Sequence, residues 1–101
     1  MSSRTDLQEL LESILGSRNV YYQPPTSITM QYPAIVYSRD DIENFNANNR
    51  PYRLVNGYMV TLIDKNPDSE VVGKLANLPM CSYDRHYVAD NLNHDVFTLY
   101  F

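Results

Sequence analysis

The alternation of apolar and polar positions lays out a series of elements along the chain. Leu7, Leu10, Leu11, Ile14 and Leu15 recur at helical spacing, with Gln8, Glu9, Glu12 and Ser13 on the other side. That pattern predicts an amphipathic helix over residues 6–15. Thr5 followed three residues later by Gln8 reads as a capping box, and Asp6 stands where the helix dipole is positive. Gly16 offers the left-handed backbone that ends a helix. Residues 19–23 (NVYYQ) are strand formers cut off by Pro24 and Pro25, which donate nothing to a ladder, so a short edge strand is expected. Residues 26–32 connect to Pro33, which opens AIVYS, a second strand of five or six residues. Residues 39–51 (RDDIENFNANNRP) then lose all periodicity. Asn and Asp bond their own backbone, so this stretch reads as a loop or as the tip of a long hairpin. A segment of that length in a small domain is usually functional or mobile.

Residues 52–65 (YRLVNGYMVTLIDK) predict the longest strand. Side chains alternate along a strand, which puts Tyr58, Val60 and Leu62 on one face and Met59, Thr61 and Ile63 on the other. Both faces are apolar, so the strand is expected to be central and covered on both sides, with Gly57 marking a bulge or a close approach. Asn66 is the predicted cap of a second helix, with Pro67 at its first position and Asp68 and Glu70 in its first turn. Val71, Val72, Leu75 and Leu78 form its apolar stripe and Pro79 stops it. Strands over 82–89 and 95–101 follow, joined by a turn at 90–93; the final VFTLYF is apolar on both faces. The order α-β-β-β-α-β-β predicts an α+β fold: two helices packed on a mixed or antiparallel sheet of four to five strands. Two helices cover one face of such a sheet but hardly both, which leaves an apolar face as a candidate for subunit contact.

With 101 residues the chain makes a single domain, 1–101. Hydrophobic residues at 44% and charged residues at 20% are ordinary for a globular chain, which excludes a wholly disordered one. The net charge of -4 argues against nucleic acid or acidic lipid as the main partner, since both call for a basic footprint. No apolar run approaches a membrane span and the first residues lack a signal-peptide core, so a soluble chain, not secreted by that route, is expected. The single cysteine, Cys81, excludes an intrachain disulfide and fits a reducing compartment.

Candidate chemistry is sparse. Cys81, His86 and His94 with Asp84, Asp90 and Asp95 are the one cluster of metal-ligating types, but neither CxxC nor HxxxH spacing is present. Polar hairpin histidines are the plainer account, and no metal or cofactor is expected. Ser82 or Cys81 beside His86 supplies a nucleophile and a base on paper, without a GxSxG elbow or a papain-type context. Asp40, Asp41 and Glu43 lack the glycine and terminal glutamate of an EF-hand loop and read as a solvated acidic segment. Gly16, Gly57 and Gly73 stand too far apart for a phosphate cradle. The nine tyrosines, all on or beside predicted strands, are equally at home in a sheet and at an interface. Asp84 and Arg85 are either a surface pair or an inter-subunit contact.

Three passages carry a resemblance. Residues 58–69 (YMVTLIDKNPDS), residues 84–101 (DRHYVADNLNHDVFTLYF), and residues 20–25 with 32–37 (VYYQPP and YPAIVY) resemble small neck proteins of long-tailed phages. These are the tail completion, tail terminator or head–tail joining proteins, and the likeness spans most of the chain from Asn19 onward. The resemblance implies a non-enzymatic structural virion protein, an α+β subunit that assembles into a ring, typically sixfold. Such a ring caps the tail tube and meets the head-completion or connector protein, with DNA passing through its lumen without specific binding. It implies synthesis in the host cytoplasm, residence at the head–tail junction and no membrane. A head-side stopper or adaptor ring is the alternative within that class; a small metal-dependent enzyme and a monomeric binding module are the alternatives outside it. The interface residues expected on this reading are Phe45, Asn46 and Asn48 in the loop, Tyr58 and Arg85 on strands, and Val96, Phe97, Leu99 and Phe101, the last four as core or interface.

Overall fold

The computed structural model describes the backbone of all residues except 1–3, 26–27 and 48–49, and the side chains of those outside 40–56 as well. In chain order the elements are α1 (Arg4–Leu15), β1 (Val20–Tyr22), β2 (Ala34–Ala47), β3 (Arg50–Asp64), α2 (Glu70–Ala76), β4 (Cys81–Ala89) and β5 (Leu92–Tyr100). They form an α+β fold with one mixed sheet of order β1-β2-β3-β5-β4, in which only the β1–β2 pair is parallel. The strand predicted to be longest, β3, lies at the centre, and β1, halted at Pro24 and Pro25, lies at an edge.

Helix α1 buries Leu7 and Leu11 completely, with Leu10, Ile14 and Leu15 packed around them. It begins at Arg4, so Thr5 is already helical and the expected capping box is not formed. Gln8 is drawn to the sheet instead. Its Nε2 donates to Val20 O at 3.0 Å and to Glu12 Oε2 at 2.9 Å, and its Oε1 accepts from the Tyr37 hydroxyl at 2.6 Å. Gly16 closes the helix at φ +80°, its N–H donating to Glu12 O at 2.9 Å.

Helix α2 starts later than its sequence pattern suggests. Asn66 does not cap it: Asn66 Oδ1 accepts from the Asp68 N–H at 3.0 Å, and Asp64 Oδ1 accepts from the Asn66 N–H at 3.1 Å. These side-chain turns carry the chain away from β3. The cap is Ser69, whose Oγ accepts from the Val71 N–H at 3.3 Å. Pro67 therefore precedes the helix. Leu75 is buried, with Val71, Val72 and Leu78 packed beside it.

Residues 39–51, read as a loop or a hairpin tip, are largely strand. The β2–β3 ladder runs out to Ala47↔Arg50, so β2 has 14 residues rather than five or six. Ladder hydrogen bonds give the Asn- and Asp-rich arm a partner that periodicity along one strand cannot reveal. The predicted irregularity near Gly57 is real but sits opposite it: register shifts between Arg39 and Asp41, leaving Asp40 as the extra residue, while Gly57 pairs with Asp41 and Tyr100. The β4–β5 connection is tighter than expected. Asp90 and Asn91, at φ 54° and 63°, make a two-residue hairpin turn, and Leu92 and Asn93 already belong to β5.

Both helices lie on the same face of the sheet. Leu7, Leu11 and Leu75 close over Val20, Ile35, Tyr37, Tyr58, Val60, Leu62, Phe97 and Leu99. Tyr22, Tyr37 and Tyr58 run side by side under α1, with ring centroids 4.9 and 6.0 Å apart, and the Arg4 guanidinium lies 4.6 Å above Tyr22. The expectation that β3 is covered on both sides is corrected: α1 and α2 pack into one core, and among the described residues no helix faces the other side.

Candidate functional site

The uncovered face is defined by register. Ala34, Val36 and Ser38 of β2 pair with Ile63, Thr61 and Met59 of β3, which in turn pair with His94, Val96 and Thr98 of β5. On β4, Arg85 pairs with Val96 and Tyr87 with His94. They form a four-strand grid in which Ala34, Val36, Met59, Ile63 and Val96 alternate with Ser38, Thr61, Thr98, His94, Tyr87 and Arg85. Ala34, Ile63 and Val96 are buried on this face, whereas Met59 is 37% exposed and Tyr87 42%. A sheet face that no helix covers and that exposes Met59 and Tyr87 is a candidate contact surface.

The β4 rim of this face is held in shape by stacking. The Tyr87 and His94 rings are 4.6 Å apart and nearly parallel at 12°, and His94 Nδ1 lies 3.1 Å from Leu92 O. The Arg85 guanidinium lies 5.9 Å from the Tyr87 ring centroid, and its 3.9 Å approach to Asp84 is solvent-exposed, so that pair contributes little. Asp84 is the extra residue of a bulge between Tyr83 and Arg85. This bulge changes which residues share a side: His86 pairs with Asp95 and Tyr83 with Phe97, both on the helix side of the sheet.

The bulge also bears on the metal-ligating types. His86 joins the side of Cys81, but Cys81 pairs with Leu99 and His86 with Asp95, about 13 Å apart along β5. His94 lies on the opposite face. His86 Nε2 is within 3.1 Å of Asn93 Oδ1, and Asn93 Nδ2 donates to Asp64 O and Lys65 O, tying β5 to the end of β3. Asp95, itself buried, accepts from the Tyr83 hydroxyl at 2.9 Å. Among the described residues no three His, Cys, Asp or Glu side chains come together as a metal site. Burial pushes the Cys81 thiol up, away from thiolate, and Ser82, which pairs with Thr98, is on the face opposite His86. Partial burial, together with donation to Asp95, raises the Tyr83 hydroxyl.

The expected interface residues divide. Tyr58, Phe97 and Leu99 are buried in the core beneath the helices, which takes Tyr58 out of the interface set and gives Phe97 and Leu99 the core half of their expected role. Phe101 is half-buried against the same core. Val96 is also buried, but on the face away from the helices, and Arg85 is exposed at the rim of that face. Phe45 and Asn46 belong to the outer part of β2, where only the backbone is described, and Asn48 lies outside the described residues. Met59, Thr61, Thr98 and Tyr87 were not singled out from sequence. Their signal was the second phase of the alternation in β3 and β5, visible only once both helices are known to take the first.

Among the described residues no helix is long and apolar enough to cross a membrane. Comparison of the chain with protein-family models, with curated proteins and with solved structures finds no match in any of the three.

Proposed function

We propose that the chain is a self-assembling structural subunit: a neck-ring protein of a long-tailed phage that terminates the tail tube and joins it to the head connector. The observation that carries this reading is the sheet face without helical cover, on which Met59 and Tyr87 are exposed, a surface that a subunit of an assembly can bury. The passages that resemble phage neck proteins include the β3, β4 and β5 residues of this face. Residues 58–69 span the second half of β3 and the turns into α2, residues 84–101 make most of the β4–β5 hairpin, and 20–25 with 32–37 make β1 and the start of β2. The proposed mechanism is assembly without catalysis. Subunits bury apolar surface against each other, the two rims of the ring engage tube and connector, and the negative balance keeps passing DNA from adhering.

The reading is tested by mixing the labelled protein with preformed tail tubes and viewing them by electron microscopy. Density at one tube end is the expected result. Binding to the isolated connector but never to tube ends favours a stopper or adaptor ring instead. A protein that ignores both contradicts the reading.

A further inference from the structure

Strand β4 is an open edge of the sheet. It pairs with β5 on one side and has no neighbour on the other among the described residues. Every residue from Ser82 to Val88 is exposed, whichever face it occupies, so the helix layer stops short of this strand. Tyr83, Tyr87 and Val88 are exposed by 48%, 42% and 62%. Edges are usually blunted by short length, lysine, proline or a bulge. β4 has nine residues, no lysine and no proline, and only the bulge at Asp84. Its rings lean inward: Tyr83 packs edge-on against Phe97 and bonds Asp95, while Tyr87 stacks on His94. The outer backbone groups of β4 are left open.

The other edge is closed by the chain's own groups as far as Arg39. There β1 has three residues, the Gln23 N–H donates to Tyr37 O at 2.9 Å, and Gln23 Oε1 accepts from the Arg39 N–H at 3.3 Å. Pro24 and Pro25 follow and donate nothing.

The open edge matches itself. Counted by its partners on β5, with Asp84 as the extra residue beside Arg85, β4 is symmetric about His86. Arg85 and Tyr87 stand one position away, Tyr83 and Val88 two, Ser82 and Ala89 three. Two β4 strands laid antiparallel with His86 opposite His86 therefore pair Tyr83 with Val88, Arg85 with Tyr87 and Ser82 with Ala89, each pair on one side of the sheet. Exposed apolar side chains then meet each other, and a guanidinium meets a ring. Asp84 and Arg85 balance within the strand, which makes this edge a neutral part of a chain of net charge -4.

We propose that β4 pairs with β4 of a second copy, antiparallel about a twofold axis at His86, joining two five-stranded sheets into one. The contact is isologous and closes at two. It uses an edge that the ring reading leaves unassigned and belongs to the free protein, so it goes beyond that reading.

Light scattering of the purified protein without tubes tests it. The wild type is expected to reach the mass of two chains as concentration rises. His86→Lys and His86→Glu each set like charges opposite each other at the axis and are expected to associate roughly tenfold or more weakly. Mixed in equal amounts they are expected to recover the dimer, because the two substituted side chains are then of opposite charge. Only a contact that sets position 86 against itself gives that recovery. Circular dichroism verifies folding. Should His86→Glu fail beside Asp95, His86→Cys with Cys81→Ser provides a second readout, since residues paired across a ladder are close enough for a disulfide and oxidation is expected to link two chains. A wild type that keeps the mass of one chain leaves the edge to a strand of another protein and overturns the proposal. So do a mass unmoved by His86→Lys and a mixture that does not recover. Retention on tube ends tests the ring separately, and the ring reading stands or falls there.

Discussion

Tyr37 shows how a single residue ties helix to sheet. Its ring is fully buried between Tyr22 and Tyr58, and its hydroxyl donates to Gln8 Oε1 at 2.6 Å and accepts from Arg4 at 3.3 Å. Burial raises this hydroxyl above its ordinary value near 10, outweighing the lowering by Arg4. The unfolded chain therefore loses the proton at lower pH than the folded one. Stability owed to Tyr37 is complete below about pH 10 and is lost as the pH rises through the higher folded value. Urea titrations from pH 7 to 12 are expected to show a flat midpoint that falls above 10, and the fall should be smaller in Tyr37→Phe. At neutral pH that substitution leaves Gln8 without its donor and is expected to cost about 1–3 kcal/mol. Gly16 provides a second test at this scale. A Cβ there meets nothing within 4 Å, so Gly16→Ala is expected to cost only the left-handed strain, roughly 1–2 kcal/mol, with no loss of packing.

At the scale of elements, the helices act through one apolar stripe each. Leu11→Ala removes a fully buried side chain beneath α1 and is expected to cost about 2–5 kcal/mol, while Ser69→Ala removes the cap of α2 and costs about 0.5–2 kcal/mol; thermal or chemical denaturation measures both. Element type and order were legible in the sequence because apolar period separates helix from strand. Boundaries were less so, for local reasons. The Thr5–Gln8 spacing fits a capping box, but a tertiary hydrogen bond to Val20 claims Gln8. Asn66 and Pro67 look like a helix start, but Ser69 is better placed to bond the first free N–H. The outer half of the β2–β3 ladder was hidden because its Asn and Asp residues favour turns when read singly, while their pairing depends on residues far along the chain. The site was half legible. The arithmetic of two helices and one sheet foretold an uncovered face, but which alternate residues formed it depended on the side both helices chose. The bulge at Asp84 also moved His86 across the sheet in a way that simple alternation cannot anticipate.

The whole molecule is elongated, with principal extents of 49 × 24 × 22 Å. Its apolar core is confined to one side of a sheet whose other side has no helical cover among the described residues, and its β2–β3 ladder runs on past the strands beside it. The proposed function assigns the face without helical cover to contact between copies. The central claim, that other copies supply what the subunit lacks, is tested most directly by multi-angle light scattering of the purified wild-type protein over a concentration series, alone and with tail tubes. The account predicts a closed species of defined mass near six subunits, formed either in free solution or on tube ends. A particle that keeps the mass of one chain at every concentration, and is not retained by tubes, would contradict it.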